Sequence, residues 1–198
     1  MSDSAPDGPP PDRSPVALLL IDVINDFEHE DGECLFEHAL PASEQIAALT
    51  QRARAEGIPV LYTNDNFGRW RDDFDAVVAH CLRPEARGQA IVERLQPEDG
   101  DYFVLKPKHS AFFATSLELL LDHLGAETLV LCGFACDICV LATALDAYMR
   151  DYHLVIPSDT TASVETEETS RTLAYARRVL DAETPPAEQV DFGALQET

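Results

Sequence analysis

Three side chains far apart in the chain could together do acyl-transfer chemistry: the carboxylate of Asp22, the ammonium of Lys106 and the thiol of Cys139. A base, a cation and a nucleophile are what such a reaction requires. Their positions matter as much as their types. Asp22 directly follows the apolar run 16–21, Lys106 follows the run 102–105, and Cys139 lies just beyond Gly133, which closes the run 128–132. In an open parallel sheet the ligand crevice lies beyond the carboxyl ends of the strands, so all three could meet at one edge.

Each residue also has a plainer reading. An Asp behind four apolar residues is costly to desolvate unless a cation or a donor compensates it, and Lys106 is the candidate partner. Taken alone, Asp22 is equally a turn cap. An isolated Lys is usually a solvated surface residue, a role that Lys108 could share. Cys139 falls where a strand passes through a Gly-containing turn into a helix running to Arg150. The dipole there is expected to lower the thiol pKa, and the exposed N–H groups to hold an oxyanion. Cys132 reads as core, and Cys34 and Cys81 as structural. Cys136 and Cys139 also form a Cys-x-x-Cys pair, which admits a thiol-disulfide or a metal site. Three strand-helix units precede that pair and Asp137 opposes thiolate formation, both of which disfavour the redox reading. His29, His38, His80, His109, His123 and His153 are scattered without ligand spacing and read as surface or packing residues.

The elements that would position these groups are legible as five continuous apolar runs, 16–21, 58–62, 102–105, 128–132 and 154–156. Strands buried on both faces read this way. Between them, 115–124 has Leu117, Leu120, Leu121 and Leu124 at helical spacing, a capping-box pair Thr115 and Glu118, and Gly125 as terminator. Segment 41–56 is amphipathic and ends at Gly57. Segment 165–180 carries Glu165, Glu167 and Glu168 in its first turn, with Arg177 and Arg178 in its last, matching the helix dipole. Alternating strands and helices give an α/β class: a three-layer α/β/α, Rossmann-like fold with a mainly parallel sheet. One domain is expected over 15–184, with a flexible tail over 1–14. A loosely held C-terminal extension of the same domain is expected over 185–198.

Composition limits the partners. The 198 residues hold 14 Lys plus Arg against 36 Asp plus Glu, a formal charge of −22, on 45% hydrophobic residues. Such a surface repels phosphate backbones and anionic lipid, so nucleic acid and membrane are excluded as partners. No apolar run approaches the roughly 18 residues needed to cross a bilayer, and the opening residues lack a basic, apolar leader, so a cytoplasmic protein is expected. Five cysteines, an odd number, in a chain with ample core read as reduced thiols.

The segments LLLIDVINDF (18–27), KPKHSAFFATSLELLL (106–121) and GFACDICVLATALDAYMRDY (133–152) resemble, in order and spacing, the three signatures of the isochorismatase-like cysteine hydrolases. The resemblance covers most of the chain outside its tails. It implies a triad of Asp22, Lys106 and Cys139, in which Asp22 takes the thiol proton, Lys106 holds the charged pair, and the thiolate attacks a carbonyl carbon to give an acyl-enzyme. It also implies a cis peptide at Phe134-Ala135 and an oxyanion hole from the N–H groups of Ala135 and Cys139. Nicotinamidase-like members carry Asp-x-His after the second strand as part of a metal site. Here that element is Asp65-Asn66-Phe67, so neither a metal nor an organic cofactor is expected.

The expected reaction is cleavage of a carbon-nitrogen bond in a small amide-like substrate. Ether hydrolysis with Asp22 as general acid, a thiol-disulfide protein and a non-enzymatic homo-oligomeric binding protein are the alternatives. Homo-oligomers are common among relatives and expected here. Asn25, Phe27, Asn66, Phe67, Trp70 and Phe134 are the candidate pocket residues, with Arg69 and Arg71 available to an anionic group. Asp26 reads as a tie for the loop after the first strand.

Overall fold

In the computed structural model, residues 13–68, 71 and 73–197 are described, and the first twelve residues of the expected tail lie outside that set. The strands are β1 (Val16–Ile21), β2 (Val60–Asp65), β3 (Tyr102–Lys106), β4 (Thr128–Phe134), β5 (His153–Val155) and β6 (Thr161–Ala162). The helices are α1 (Gly32–Ala55), α2 (Phe74–Cys81), α3 (Gln89–Arg94), α4 (Leu117–Leu124), α5 (Leu141–Tyr148), α6 (Thr166–Val179) and α7 (Phe192–Gln196). All strand pairs are parallel in the order β3-β2-β1-β4-β5, with β6 also on β4.

The continuous apolar runs have the expected cause. Along β1, Val16, Leu18 and Leu20 enter one core while Ala17, Leu19 and Ile21 enter the other. Both faces of the sheet are therefore covered, as a parallel sheet requires. The strand order reverses direction between β1 and β4, which lie side by side with Ile21 opposite Gly133. That reversal is where an open α/β sheet forms its crevice.

Gly133 makes the close approach of β1 and β4 possible. Its φ is +138°, and a Cβ there would stand 2.0 Å from the Ile21 carbonyl oxygen. Only glycine fits. At the end of α4, Gly125 adopts the expected left-handed cap with φ of 75°.

Several expectations need correction. Helix α1 begins at Gly32, well before Pro41, and runs through that proline. Burial of Leu35 and Ala39 holds the extra turns against the cost of the missing N–H. The capping box at Thr115 does not form. Thr115 donates to the Ala111 carbonyl at 2.6 Å and accepts from Leu117 N–H, while Glu118 pairs with Arg150 at 3.1 Å.

The segment after Pro185 is firmly docked. Ala187, Val190 and Phe192 are buried in the main core, Arg52 donates to the carbonyls of Ala187 and Val190, and Asp159 accepts from Ala187 N–H at 2.7 Å. At the other end, Ser14 is buried and its N–H reaches the Leu124 carbonyl. Among the described residues no helix is long and apolar enough to cross a membrane.

Candidate active site

The three chemical residues arrive on three different strands. Asp22 follows β1, Lys106 ends β3, and Cys139 sits in the turn after β4. Lys106 and Asp22 are two strand positions apart, roughly 9–10 Å of backbone separation, a gap that the long lysine stem spans. The Lys106 Nζ lies 2.8 Å from the Asp22 Oδ2 and 3.5 Å from the Cys139 Sγ. It also donates to the Lys108 carbonyl at 3.2 Å. Lys106 is fully buried, which removes the surface reading, and Asp22 and Cys139 are nearly so.

Asp22 is more than a turn cap. Its backbone turns through φ of 53°, a conformation that Asp tolerates better than most residues. Its Oδ1 accepts from the Asp65 N–H at 2.7 Å, which leaves Oδ2 facing the ammonium. The Asn64 amide then ties the loop by accepting from Ile24 N–H and donating to the Ile24 carbonyl. Burial pushes the Lys106 pKa down, but the neighbouring Asp22 carboxylate and Cys139 sulfur outweigh it and hold the ammonium pKa above its usual value.

The thiol behaves opposite to expectation. Cys136–Val140 form a single π-helical turn ahead of α5, so Cys139 is inside a helical turn and not at an open N-terminus. Burial and the adjoining Asp22 carboxylate push its pKa up, and Lys106 only partly offsets them. That direction favours the protonated thiol. A base must therefore take the proton as the sulfur attacks.

The turn itself departs from the implied geometry. No cis peptide bond occurs among the described residues, and Phe134-Ala135 is trans. The chain reverses instead through Ala135 at φ of 52° and ψ of 60°. That orientation aims the Ala135 carbonyl into the turn, where it accepts from the Cys139 N–H at 2.9 Å. The Cys139 amide expected in the oxyanion hole is thus already engaged.

The pocket candidates divide. Phe27 and Phe134 are fully buried and pack on each other with ring centroids 5.7 Å apart, so they belong to the core and do not line an open wall. Asn25 accepts from Phe27 N–H at 2.7 Å, and Asn66 from Gly68 N–H at 2.9 Å, both as turn-forming groups. Phe67 is exposed, and Arg71 likewise. Arg69 and Trp70 lie outside the described residues. Asp26 does tie its loop, accepting from Glu28 N–H and pairing with His80 at 2.9 Å.

One residue read as surface or packing stands at the site. The His109 Nδ1 is 3.8 Å from the Cys139 Sγ, and His109 is exposed. Only its place three residues after Lys106, inside the second signature, could have marked it. Cys136 and Cys139 are both free thiols, and Cys132 and Cys136 are buried, with burial raising their pKa values to about 12 and about 11.

The family model for the isochorismatase domain matches residues 16–184. The chain belongs to the isochorismatase family. It is 40% identical over 174 residues to the isochorismatase family protein YaaI of Bacillus subtilis, an alignment covering 88% of this chain and 95% of that protein. Against the ureidoacrylate amidohydrolase RutB of Methylorubrum extorquens it is 30% identical over 178 residues, 76% of this chain and 71% of the relative. Among solved structures, the N-carbamoylsarcosine amidase of Thermoplasma acidophilum superposes with a TM-score of 0.70 at 27% identity, covering 89% of this chain and 98% of that one. This family member is accordingly a hydrolase on the α/β scaffold expected from its apolar runs.

Proposed function

We propose that this hydrolase cleaves the carbon-nitrogen bond of a small amide or ureido compound through an acyl-enzyme at Cys139. The supporting observation is the buried constellation itself: a carboxylate, an ammonium and a thiol within 3.5 Å links at the crevice of the sheet. The names of two relatives, a ureidoacrylate amidohydrolase and an N-carbamoylsarcosine amidase, point to the same bond type.

In this reading Asp22 removes the thiol proton as the sulfur attacks the carbonyl carbon, and then delivers it to the departing nitrogen. Lys106 holds the Asp22 carboxylate through their 2.8 Å ion pair and balances the charge that passes to the sulfur. Its ammonium, 3.5 Å from the sulfur, is available to the developing oxyanion. The amide of Cys139 could join only by giving up the Ala135 carbonyl. The small-molecule substrate and the self-association implied by the resemblance belong to the same reading.

The test is turnover of a panel of primary amides, N-carbamoyl amino acids and ureidoacrylates, alongside isochorismate, by the native chain and by Cys139→Ala. Release of ammonia or amine that vanishes in the variant is the expected result. Hydrolysis of isochorismate that survives in the variant would overturn the proposal in favour of ether cleavage by Asp22.

A further inference from the structure

We propose that His109 is a further catalytic residue, the base that activates the water resolving the Cys139 acyl-enzyme; this rests on the covalent reading above. The ring nitrogen Nδ1 faces the sulfur at 3.8 Å, and the ring is otherwise exposed. An acyl carbon bonded to that sulfur would lie within reach of a water held by Nδ1. With its proton on Nε2, the imidazole presents a lone pair at Nδ1 and can accept from that water.

The loop carrying His109 is fixed on both sides. Lys106 donates to the Lys108 carbonyl, Ser110 donates to the Asp146 carboxylate, and Ala111 N–H donates to the Thr143 hydroxyl at 3.1 Å. Thr143 in turn donates to the carbonyl of Cys139 at 2.8 Å. One buried hydroxyl therefore joins the nucleophile's own backbone to the loop that presents the imidazole. The contact between His109 and Cys139 is built into the fold and is not a chance approach of a long side chain.

The Asp22 carboxylate stays tied through Oδ1 to the Asp65 N–H and through Oδ2 to Lys106, whereas His109 is exposed to water. The proton balance closes with two bases. In acylation Asp22 takes the thiol proton and gives it to the leaving nitrogen. In deacylation His109 takes a proton from water while the water oxygen bonds to the acyl carbon. The carbon-sulfur bond then breaks, and the released thiolate recovers that proton from His109 across the direct contact.

The experiment uses p-nitrophenyl acetate, whose chromophore reports acylation as a burst and deacylation as the steady rate, with intact-mass detection of the acetyl adduct. The native chain should show a burst and an adduct at Cys139. His109→Gln should keep the burst and lower the steady rate by about 100-fold, within the span usual for a general base. Its acetyl adduct should accumulate, and added imidazole should restore the steady rate. A preserved burst also reports an intact site, which a merely structural defect would not leave. Unchanged steady turnover in His109→Gln would overturn the role of His109, as would equal loss of burst and steady rate. Absence of any Cys139 adduct in the native chain would instead overturn the covalent reading itself.

Discussion

The buried carboxylate of Asp22 beside the Cys139 thiol meets two opposed demands, and they can be separated by substitution. Asp22 raises the Cys139 pKa, yet it is the proposed acceptor of that thiol's proton. Asp22→Asn should therefore slow acylation by p-nitrophenyl acetate by at least about 100-fold. The same variant should speed alkylation of Cys139 by iodoacetamide at alkaline pH, because more thiolate is present. In the native chain at neutral pH, Cys139 should be alkylated more slowly than the exposed Cys34. Peptide-resolved alkylation rates check both statements, and a Cys139 faster than Cys34 would mean a thiolate already formed at rest. Lys106 is held to a stricter requirement still. Replacing it with Met leaves Asp22 buried without its cation, a change expected to cost about 3–5 kcal/mol in urea unfolding. Asp22 and Lys106 are legible because each closes an apolar run, and Cys139 because it lies in the strand-to-helix turn that follows one. His109 is not, because exposure and the approach of a loop to a sulfur leave no periodic trace.

At the scale of elements, the site depends on how β1 and β4 meet. Gly133→Ala forces a methyl group against the Ile21 carbonyl and keeps a left-handed φ, so a loss of roughly 3 kcal/mol or more is expected by chemical denaturation, with activity falling alongside. The strand runs could be read in sequence because a parallel sheet buried on both faces needs continuous apolar segments, and the strands were displaced from the runs by only a few residues. Only the second half of helix α1 is legible in the sequence, since Pro41 resembles a helix start and the tertiary packing of Leu35 that overrides it is not local information. The short helices α2 and α3 and the two-residue β6 leave no local signal for the same reason. The turn at Ala135 was expected from the resemblance as a cis bond, and the left-handed residue that replaces it could not be inferred from a sequence pattern. Phe192 on α7 offers a check on the docked C-terminus: Phe192→Ala should cost about 3 kcal/mol if that segment is part of the core, and almost nothing if it is loose.

For the whole molecule, charge and ionisation set the conditions of stability. A formal charge of −22 repels itself, so raising the salt concentration should raise the melting temperature. The alkaline limit follows from the buried groups. Cys132, Cys136 and Cys139 have folded pKa values above the ordinary 9.0 of a thiol, and Lys106 stands above 10.5. Groups raised in the folded state contribute stability that is complete below their unfolded pKa and lost as pH climbs through the folded one. Stability should therefore hold from neutrality to about pH 9 and decline steadily above it.

The most direct measurement is rapid-quench intact mass spectrometry of the native chain with a turned-over amide, followed by peptide mapping. An acyl group on Cys139 that forms and decays at rates matching turnover is the expected result. Full amide turnover in Cys139→Ala, or an acyl group found only on another residue, would contradict covalent catalysis at this site.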